Sequence, residues 1–311
     1  MITFLSGGTG TPKLIEGFRK NLVDNQISVI ANSADDIWIY GLYVSPDVDT
    51  VTYLFGNVLD TDKFWGIKAD TYYILQYLSK LGVETWFQIG DKDLATHLFR
   101  TDLIKKGQNL SQITERLSIN LQIDSKIFPS SDTHIETRII TSDGQDIHFQ
   151  EFWVKKRAEI EIEDIYVKNL NEAKIPQNVL RSIDECQKIV IGPSNPITSI
   201  GPIINLSPIR KALKKGKEKA IAISPIIGEN PISGPTAKLM KAKGYDISPL
   251  EIAKMYEEIC DIFIIHLTDK ELKGVIEKET GLTVLIENIL FADINVASNL
   301  AKKILNRGRI K

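Results

Sequence analysis

Several features that commonly announce a function are scarce or missing in this chain. Cysteine occurs only twice, at Cys186 and Cys260, each inside a helix-like pattern. Both read as small buried hydrophobes rather than as a disulfide or a nucleophile. No apolar run approaches the roughly 18 or more residues that cross a bilayer. Met1-Ile2-Thr3-Phe4 has no charged n-region, and the first apolar run is too short for a signal peptide. The expectation is a soluble cytoplasmic protein with no membrane partner. A basic excess is also lacking: 38 Lys and Arg stand against 40 Asp and Glu, a net charge of −2, with pI near 6.2. That balance argues against a nucleic-acid partner. Neither a Ser/His/Asp nor a Cys/His constellation can be assembled, and no repeat or low-complexity linker interrupts the chain.

What is present is ordinary globular composition, 43% hydrophobic and 25% charged over 311 residues. That length suits one large domain or two intimate ones. The rest is organised around Ser6-Gly7-Gly8-Thr9-Gly10-Thr11-Pro12-Lys13. It follows an apolar run over 2–5, short enough to be a buried parallel strand. A helical pattern follows, with Leu14, Phe18 and Leu22 on one face and Ile15 beside them. Pro12 suits the first helical turn, and Thr11 is expected to cap it. This arrangement aims backbone N–H groups at an anion above the strand, and glycines let a phosphate come near. Gly8-Thr9-Gly10 supplies the start of a dinucleotide fingerprint, but Lys13 occupies the place of its third glycine, and no Walker loop is present. Lys13 offers a neighbouring cation instead. The pattern alone reaches as far as a nucleotide or phosphate-ester site.

A second apolar run over 27–31 completes a βαβ unit and ends in Asn32-Ser33-Ala34-Asp35-Asp36, polar groups at the strand edge where open parallel sheets collect ligands. The turn Ser45-Pro46-Asp47-Val48-Asp49-Thr50 sets two carboxylates two residues apart, a spacing that lets both reach one hard cation. From 51 to 122 the pattern is mainly helical, with helices expected over 70–80 and 93–106 and a third capped by Ser111. Ser142-Asp143-Gly144 joins two β-like runs, 135–141 and 145–154, in a hairpin. A charged, strand-like edge is expected over 155–167. His97, on the second helix, reads more readily as a satisfied core or surface histidine than as a base. The α/β alternation resumes with runs over 189–191, 220–223, 262–265 and 283–286 and a closing helix over 293–305. Three strand tips end in Gly/Ser/Pro/Asn loops poised before helices: 6–11, 192–202 and 224–228. Their recurrence in one sheet points to a shared phosphate-bearing ligand.

Seven stretches, in order along nearly the whole chain, carry a resemblance. They are the 6–13 loop, Ser45-Pro46-Asp47-Val48-Asp49-Thr50, Trp65-Gly66-Ile67-Lys68, Gly90-Asp91-Lys92-Asp93-Leu94-Ala95-Thr96-His97, His148-Phe149-Gln150-Glu151-Phe152-Trp153-Val154, the run from 191 to 202, and Ser224-Pro225-Ile226-Ile227-Gly228. Together they resemble the 2-phospho-L-lactate transferase family of deazaflavin coenzyme (factor 420) biosynthesis, and 191–202 is the most discriminating.

The resemblance implies an α/β fold, with a Rossmann-like, mostly parallel sheet formed by 1–50 and 168–311. Residues 51–167 would form a helical insert with a β-hairpin that contributes to the deazaflavin site. It also implies a homodimer and Mg²⁺. The implied reaction moves a phospholactyl or phosphoenolpyruvyl group from a guanylyl diphosphodiester to the 5′-hydroxyl of the deazaflavin Fo, releasing GMP. Gly7, Gly8, Thr9, Gly10, Thr11 and Lys13, with Gly192, Ser194 and Asn195, would hold the nucleotide. Asp49 and Lys92 would contact the deazaflavin. Lys92 stands where the family often has arginine, keeping the charge without the planar fork.

Such a transfer needs an aligned hydroxyl and neutralised phosphates, with no covalent nucleophile. Asp49 is expected to orient or deprotonate that hydroxyl, or to reach it through Mg²⁺. Asp47, Asp35 and Asp36 complete the metal candidates. His148, Phe149 and Trp153 are expected to wall the flat deazaflavin. A non-enzymatic nucleotide-sugar regulator of the same fold is the alternative reading, and a dehydrogenase is disfavoured by the missing glycine.

Overall fold

In the computed structural model, which describes residues 1–307, the core is one parallel sheet of seven strands. In chain order these are β1 (Ile2–Ser6), β2 (Ile27–Ala31), β3 (Lys126–Pro129), β4 (Lys188–Ile191), β5 (Ala220–Ile223), β6 (Ile262–His266) and β7 (Thr283–Glu287). Their order across the sheet is β7-β6-β5-β4-β1-β2-β3, parallel throughout. β1 therefore has β2 on one side and β4 on the other, the reversal of strand order that opens a crevice at the carboxyl ends.

Both faces of the sheet are covered, which is why its strands read as apolar runs rather than as alternating ones. Leu5, Ile30, Ile191, Ala222 and Phe263 belong to one buried cluster. Their neighbours Phe4, Val29, Val190, Ile221 and Ile264 belong to the other, as the two-residue period of a strand requires. Helix α1 (Gly10–Arg19) lies against the closing helix Ile294–Asn306. At Gly17 the backbones come so near that a Cβ would stand 2.4 Å from the Ala297 carbonyl carbon.

Helices α2 (Pro46–Phe55), α3 (Tyr73–Lys80), α4 (Asp91–Lys105) and α5 (Leu110–Asn120) occupy much of the stretch expected to be helical. Within it β3 returns to the main sheet and pairs with β2, so the expected 51–167 segment also supplies one edge of the core. The end of the expected 168–311 segment, residues 308–311, lies outside the described residues. The hairpin around Ser142-Asp143-Gly144 is present, joined by a third strand into an antiparallel sheet of Glu136–Thr141, Asp146–His148 and Ile162–Lys168. Its second arm is shorter than the sequence suggests, because the chain coils into a π-helical turn over Glu151–Lys155. A small hairpin of Ile37–Ile39 and Leu42–Val44 turns at Tyr40 and Gly41, both at positive φ.

Candidate active site

The crevice between β1 and β4 is closed at its base by two interlocked loops. After β1 the chain turns at Gly8, whose φ is +58°, and enters α1 at Gly10. Thr9 is thus the N-cap, with no side-chain capping bond. Thr11 does not cap, as expected, but reaches across to the β4 loop: its N–H donates to Ser194 Oγ at 3.1 Å, and the two hydroxyls lie 2.8 Å apart. A Cβ on Gly10 would stand 2.3 Å from the Pro193 carbonyl oxygen, and one on Gly192 would lie 2.0 Å from Thr11 Oγ1. These two glycines are needed where loop meets loop, and not, in the first instance, for the approach of a ligand. Asn195 Oδ1 accepts the N–H groups of Ile197 and Thr198, at 2.9 and 3.3 Å, which folds the β4 loop back over the crevice.

The acidic residues separate into distinct environments. Asp47, in the first turn of α2, accepts the Gly8 N–H at 2.7 Å and the Asn32 side-chain amide at 2.9 Å. The same amide also donates to the Thr198 carbonyl at 3.1 Å, so one asparagine ties the tip of β2 to the β4 loop and to the start of α2. Burial pushes the Asp47 carboxyl up to about 6, against the pull of the Asn32 and Gly8 bonds. Asp35 is buried, and its Oδ1 has no hydrogen-bond partner. Burial, then the charges of Asp47 and Asp36, raise its carboxyl well above the usual range.

Asp36 lies off the cavity. Its oxygens accept the Ser45 hydroxyl at 2.6 Å and the Tyr43 hydroxyl at 2.9 Å, so, contrary to the expectation for a metal ligand, it braces the start of α2. Asp49 does not converge with Asp47 on one cation either. Its carboxylate faces the fully buried Arg100, which donates Nη1 to Oδ2 at 3.0 Å and Nη2 to Oδ1. A guanidinium already occupies the place a cation would take.

Among the described residues no cluster of three or more His, Cys, Asp or Glu side chains is arranged to hold a metal. A pair remains. Asp35 and Asp47 both line the cavity, and the former has a buried oxygen without a partner. This donor set fits a hard divalent cation that keeps waters and takes its remaining ligands from phosphate.

Three residues that sequence reasoning passed over or set aside stand at the wall or behind it. Asp93, His97 and Arg100 fall at i, i+4 and i+7 on α4, on one helix face. All three are buried. His97 Nε2 lies 3.2 Å from Asp93 Oδ1, and Tyr53 of α2 donates its hydroxyl to the same oxygen at 2.6 Å. Burial opposes ionisation of Asp93, but His97, Tyr53 and Arg100 together hold its carboxyl below the ordinary value. The spacing was visible in the sequence; the partner Asp49 on another helix was not.

Above these residues opens a cavity of about 440 Å³. Its lining includes Gly8, Thr9, Gly10, Ser194 and Asn195 of the two loops, and the aromatic rings of Phe64, Trp65, Phe87, Phe149 and Trp153. Among the described residues, no lysine or arginine lines it.

This chain matches the model of the family "2-phospho-L-lactate transferase CofD" over residues 2–295. The chain belongs to that family. It is accordingly an enzyme of transferase type. Among its relatives, the 2-phospho-L-lactate transferase of Methanococcus maripaludis strain S2 is 41% identical, with 98% of each chain covered. That of Methanocaldococcus jannaschii is 40% identical over 98% of this chain and 97% of its own. That of Methanosarcina mazei is 43% identical over 87% and 88%. A solved structure of a UPF0052 family member from Bacillus halodurans superposes with a TM-score of 0.64 at 18% identity, covering 98% of each chain. At that identity the likeness concerns the fold.

Against the residues this family suggested, the structure makes several distinctions. Phe149 and Trp153 line the cavity, Trp153 from the π-helical turn. His148 does not. Its Nδ1 accepts the Gln150 N–H at 3.0 Å, and Nε2 donates to the Asp36 carbonyl at 3.1 Å. Burial lowers its imidazolium to about 4, so it is a neutral core histidine. Lys92 is exposed and turns away from the cavity, donating to the Ala69 carbonyl at 2.7 Å. Its N–H and that of Asp93 cap onto the Asp70 carboxylate, so the Gly-Asp-Lys-Asp turn starts α4 rather than presenting a cation. Lys13 lies 5.0 Å from the Phe64 ring centre, outside the lining. Gly7, packed against Ser199, joins Thr11 and Gly192 as framework.

Proposed function

We propose that this enzyme transfers a phospholactyl (or phosphoenolpyruvyl) group from a guanylyl diphosphodiester to the 5′-hydroxyl of the deazaflavin Fo, releasing GMP. The observation that carries the reading is the mixed lining of one cavity, which joins a glycine turn and a Ser-Asn loop at the strand-order reversal to flat aromatic rings and Asp49. The loops suit a diphosphate, bound through backbone N–H groups near a helix start. The rings suit a planar acceptor. Residues 51–167 supply those rings together with Asp93 and His97, and on this reading they make the acceptor end.

In the transfer, the ribityl 5′-oxygen bonds to the phospholactyl phosphorus while the bond from that phosphorus to the GMP oxygen breaks. Asp49 accepts the hydroxyl's hydrogen bond and takes its proton, and GMP leaves as a phosphate monoester. The backbone N–H groups of the 8–10 turn and the β4 loop hold the departing phosphate. Positioning and charge stabilisation supply most of the catalysis in such reactions. Mg²⁺, when bound by Asp35 and Asp47, supplies neutralisation of phosphate charge that no lining lysine or arginine provides. The dimer implied for the family belongs to the same reading, and the exposed apolar side chains of α3, Tyr73 and Tyr77, offer a second copy a surface.

The test is to incubate the protein with Fo, the lactyl guanylyl diphosphodiester and Mg²⁺, and to follow GMP and the phospholactyl-deazaflavin. Both are expected. Nucleotide binding without either product would instead place the chain with non-enzymatic nucleotide-binding regulators.

A further inference from the structure

We propose that Arg100 is the positioning residue of the acceptor end. It locks Asp49 in place and is itself held by a ring of contacts between α2 and α4. The inference rests on the transfer reading above and deepens it, by dividing the two carboxylates of the first turn of α2 between two tasks.

Arg100 is the largest fully buried side chain of the described residues. A guanidinium is kept out of water only where its charge is met, and here it is met from two prongs on one carboxylate, Asp49. The Nη1 group also lies 3.2 Å from His97 Nδ1. Because a guanidinium can only donate, Nδ1 accepts, and the imidazole proton sits on Nε2, which lies 3.2 Å from Asp93 Oδ1 without making a hydrogen bond to it. Tyr53 donates to that same oxygen. Asp49 and Tyr53 are one turn apart on α2, and Asp93, His97 and Arg100 span two turns of α4. Each helix therefore fixes the other's polar face.

Two further observations favour a functional role over a purely stabilising one. Arg100 Nε is buried without an acceptor, and a buried ion pair is in general no more stabilising than well-packed apolar residues of the same size. Asp49, Asp93 and His97 all line the cavity while Arg100 stands behind them. The pairing consumes two of the roughly four lone-pair sites of the Asp49 carboxylate, leaves the others for a hydroxyl, and prevents the carboxylate from turning. Asp47, two residues away, is held by other partners, Gly8 and Asn32. Asp47 therefore belongs to the nucleotide and Asp49 to the acceptor.

The test compares wild type with Arg100→Lys and Arg100→Ala. Arg100→Lys keeps the charge and loses the planar two-pronged geometry. Deazaflavin affinity is read from its fluorescence, GDP affinity with Mg²⁺ from calorimetry, and turnover from GMP release. Arg100→Lys is expected to lower kcat at least about tenfold, 1.36 kcal/mol of barrier, with GDP affinity within about twofold of wild type. Turnover of Arg100→Ala is expected to recover in part with added guanidinium and not with ammonium at equal ionic strength. If the alanine variant does not fold, the lysine variant decides alone. Wild-type kcat and acceptor affinity in Arg100→Lys would overturn the inference. So would a loss of GDP affinity in step with activity, since a merely structural role moves both. A wild-type protein that binds deazaflavin yet transfers nothing would count against the proposed function. In that case weakened deazaflavin binding by Arg100→Lys would still support the positioning role, and unchanged binding would overturn it.

Discussion

Replacing Gly10 with alanine tests the interlocked loops with the smallest possible change. The added Cβ would lie 2.3 Å from the Pro193 carbonyl oxygen, a backbone atom with no flexible end to swing aside. Separations below 3.0 Å are essentially unknown for real Cβ atoms, so the β4 loop must retreat by at least about 0.7 Å. Forcing one extra carbon into a filled contact costs about 1–3 kcal/mol. For a chain of 311 residues that lowers Tm by about 1.5–5 °C. The retreat also moves Ser194 and Asn195 relative to the Gly8–Gly10 turn. Misplacement by about 1 Å can cost about a hundredfold in rate, so a loss of about ten- to a hundredfold in GMP release is expected. The control is Gly274→Ala. That glycine sits in the helix Lys273–Thr280, has open space where a Cβ would go, and should gain about 0.4–1 kcal/mol. Thermal melts and steady-state rates of both variants decide the matter. A Gly10→Ala protein with wild-type Tm and rate would refute the claim that the loops meet backbone to backbone.

Further outcomes follow from the same geometry. Asp49→Asn leaves the buried Arg100 guanidinium without its counter-charge, and should cost about 3–5 kcal/mol in denaturant unfolding and at least about tenfold in turnover; unchanged rates at saturating Mg²⁺ would remove Asp49 from the mechanism. His148, lowered by burial to about 4, takes up a proton more readily in the unfolded chain. Its contribution to stability is therefore complete above about pH 6.5 and is lost as pH drops towards 4, by about 3 kcal/mol at most. Urea titrations at pH 7 and pH 4.5 should show it as the difference between wild type and His148→Gln, since the raised Asp35, Asp36 and Asp47 carboxyls act in the opposite sense in both. Lys92→Met should leave deazaflavin affinity within about twofold and stability within about 0.5 kcal/mol, since the ammonium points to the 69 carbonyl; a large loss of acceptor binding would restore it to the site.

The parallel core was readable because strands buried on both faces are written as apolar runs. The runs over 27–31 and 220–223 coincide with β2 and β5, and the others differ by a residue or two at their ends. Of the three polar tips expected to share a ligand, 6–11 and 192–202 meet at the crevice, whereas 224–228 is not among the residues lining the cavity. β3 escaped notice because it is a four-residue edge strand beginning at Lys126, with a partner on one side only. The 37–44 hairpin turns at Tyr40-Gly41 rather than at an Asn-Gly or Asp-Gly pair, so its turn signal was weak. The carboxylates were harder. Asp47 and Asp49 look equivalent as a D-x-D pair, and only the partner Arg100, 51 residues along the chain, separates their tasks. Lys92 and His148 were misplaced because a motif gives a residue's identity while local capping and burial decide where its side chain goes.

The account depends on a diphosphate lying between the Gly8–Gly10 turn and Ser194-Asn195, with the acceptor end beyond Asp49. A crystal structure of the protein soaked with GDP and Mg²⁺ tests this directly. The account predicts the diphosphate across those two loops and the cation on Asp35 and Asp47. Nucleotide density elsewhere, with the crevice between β1 and β4 holding only water, would contradict it.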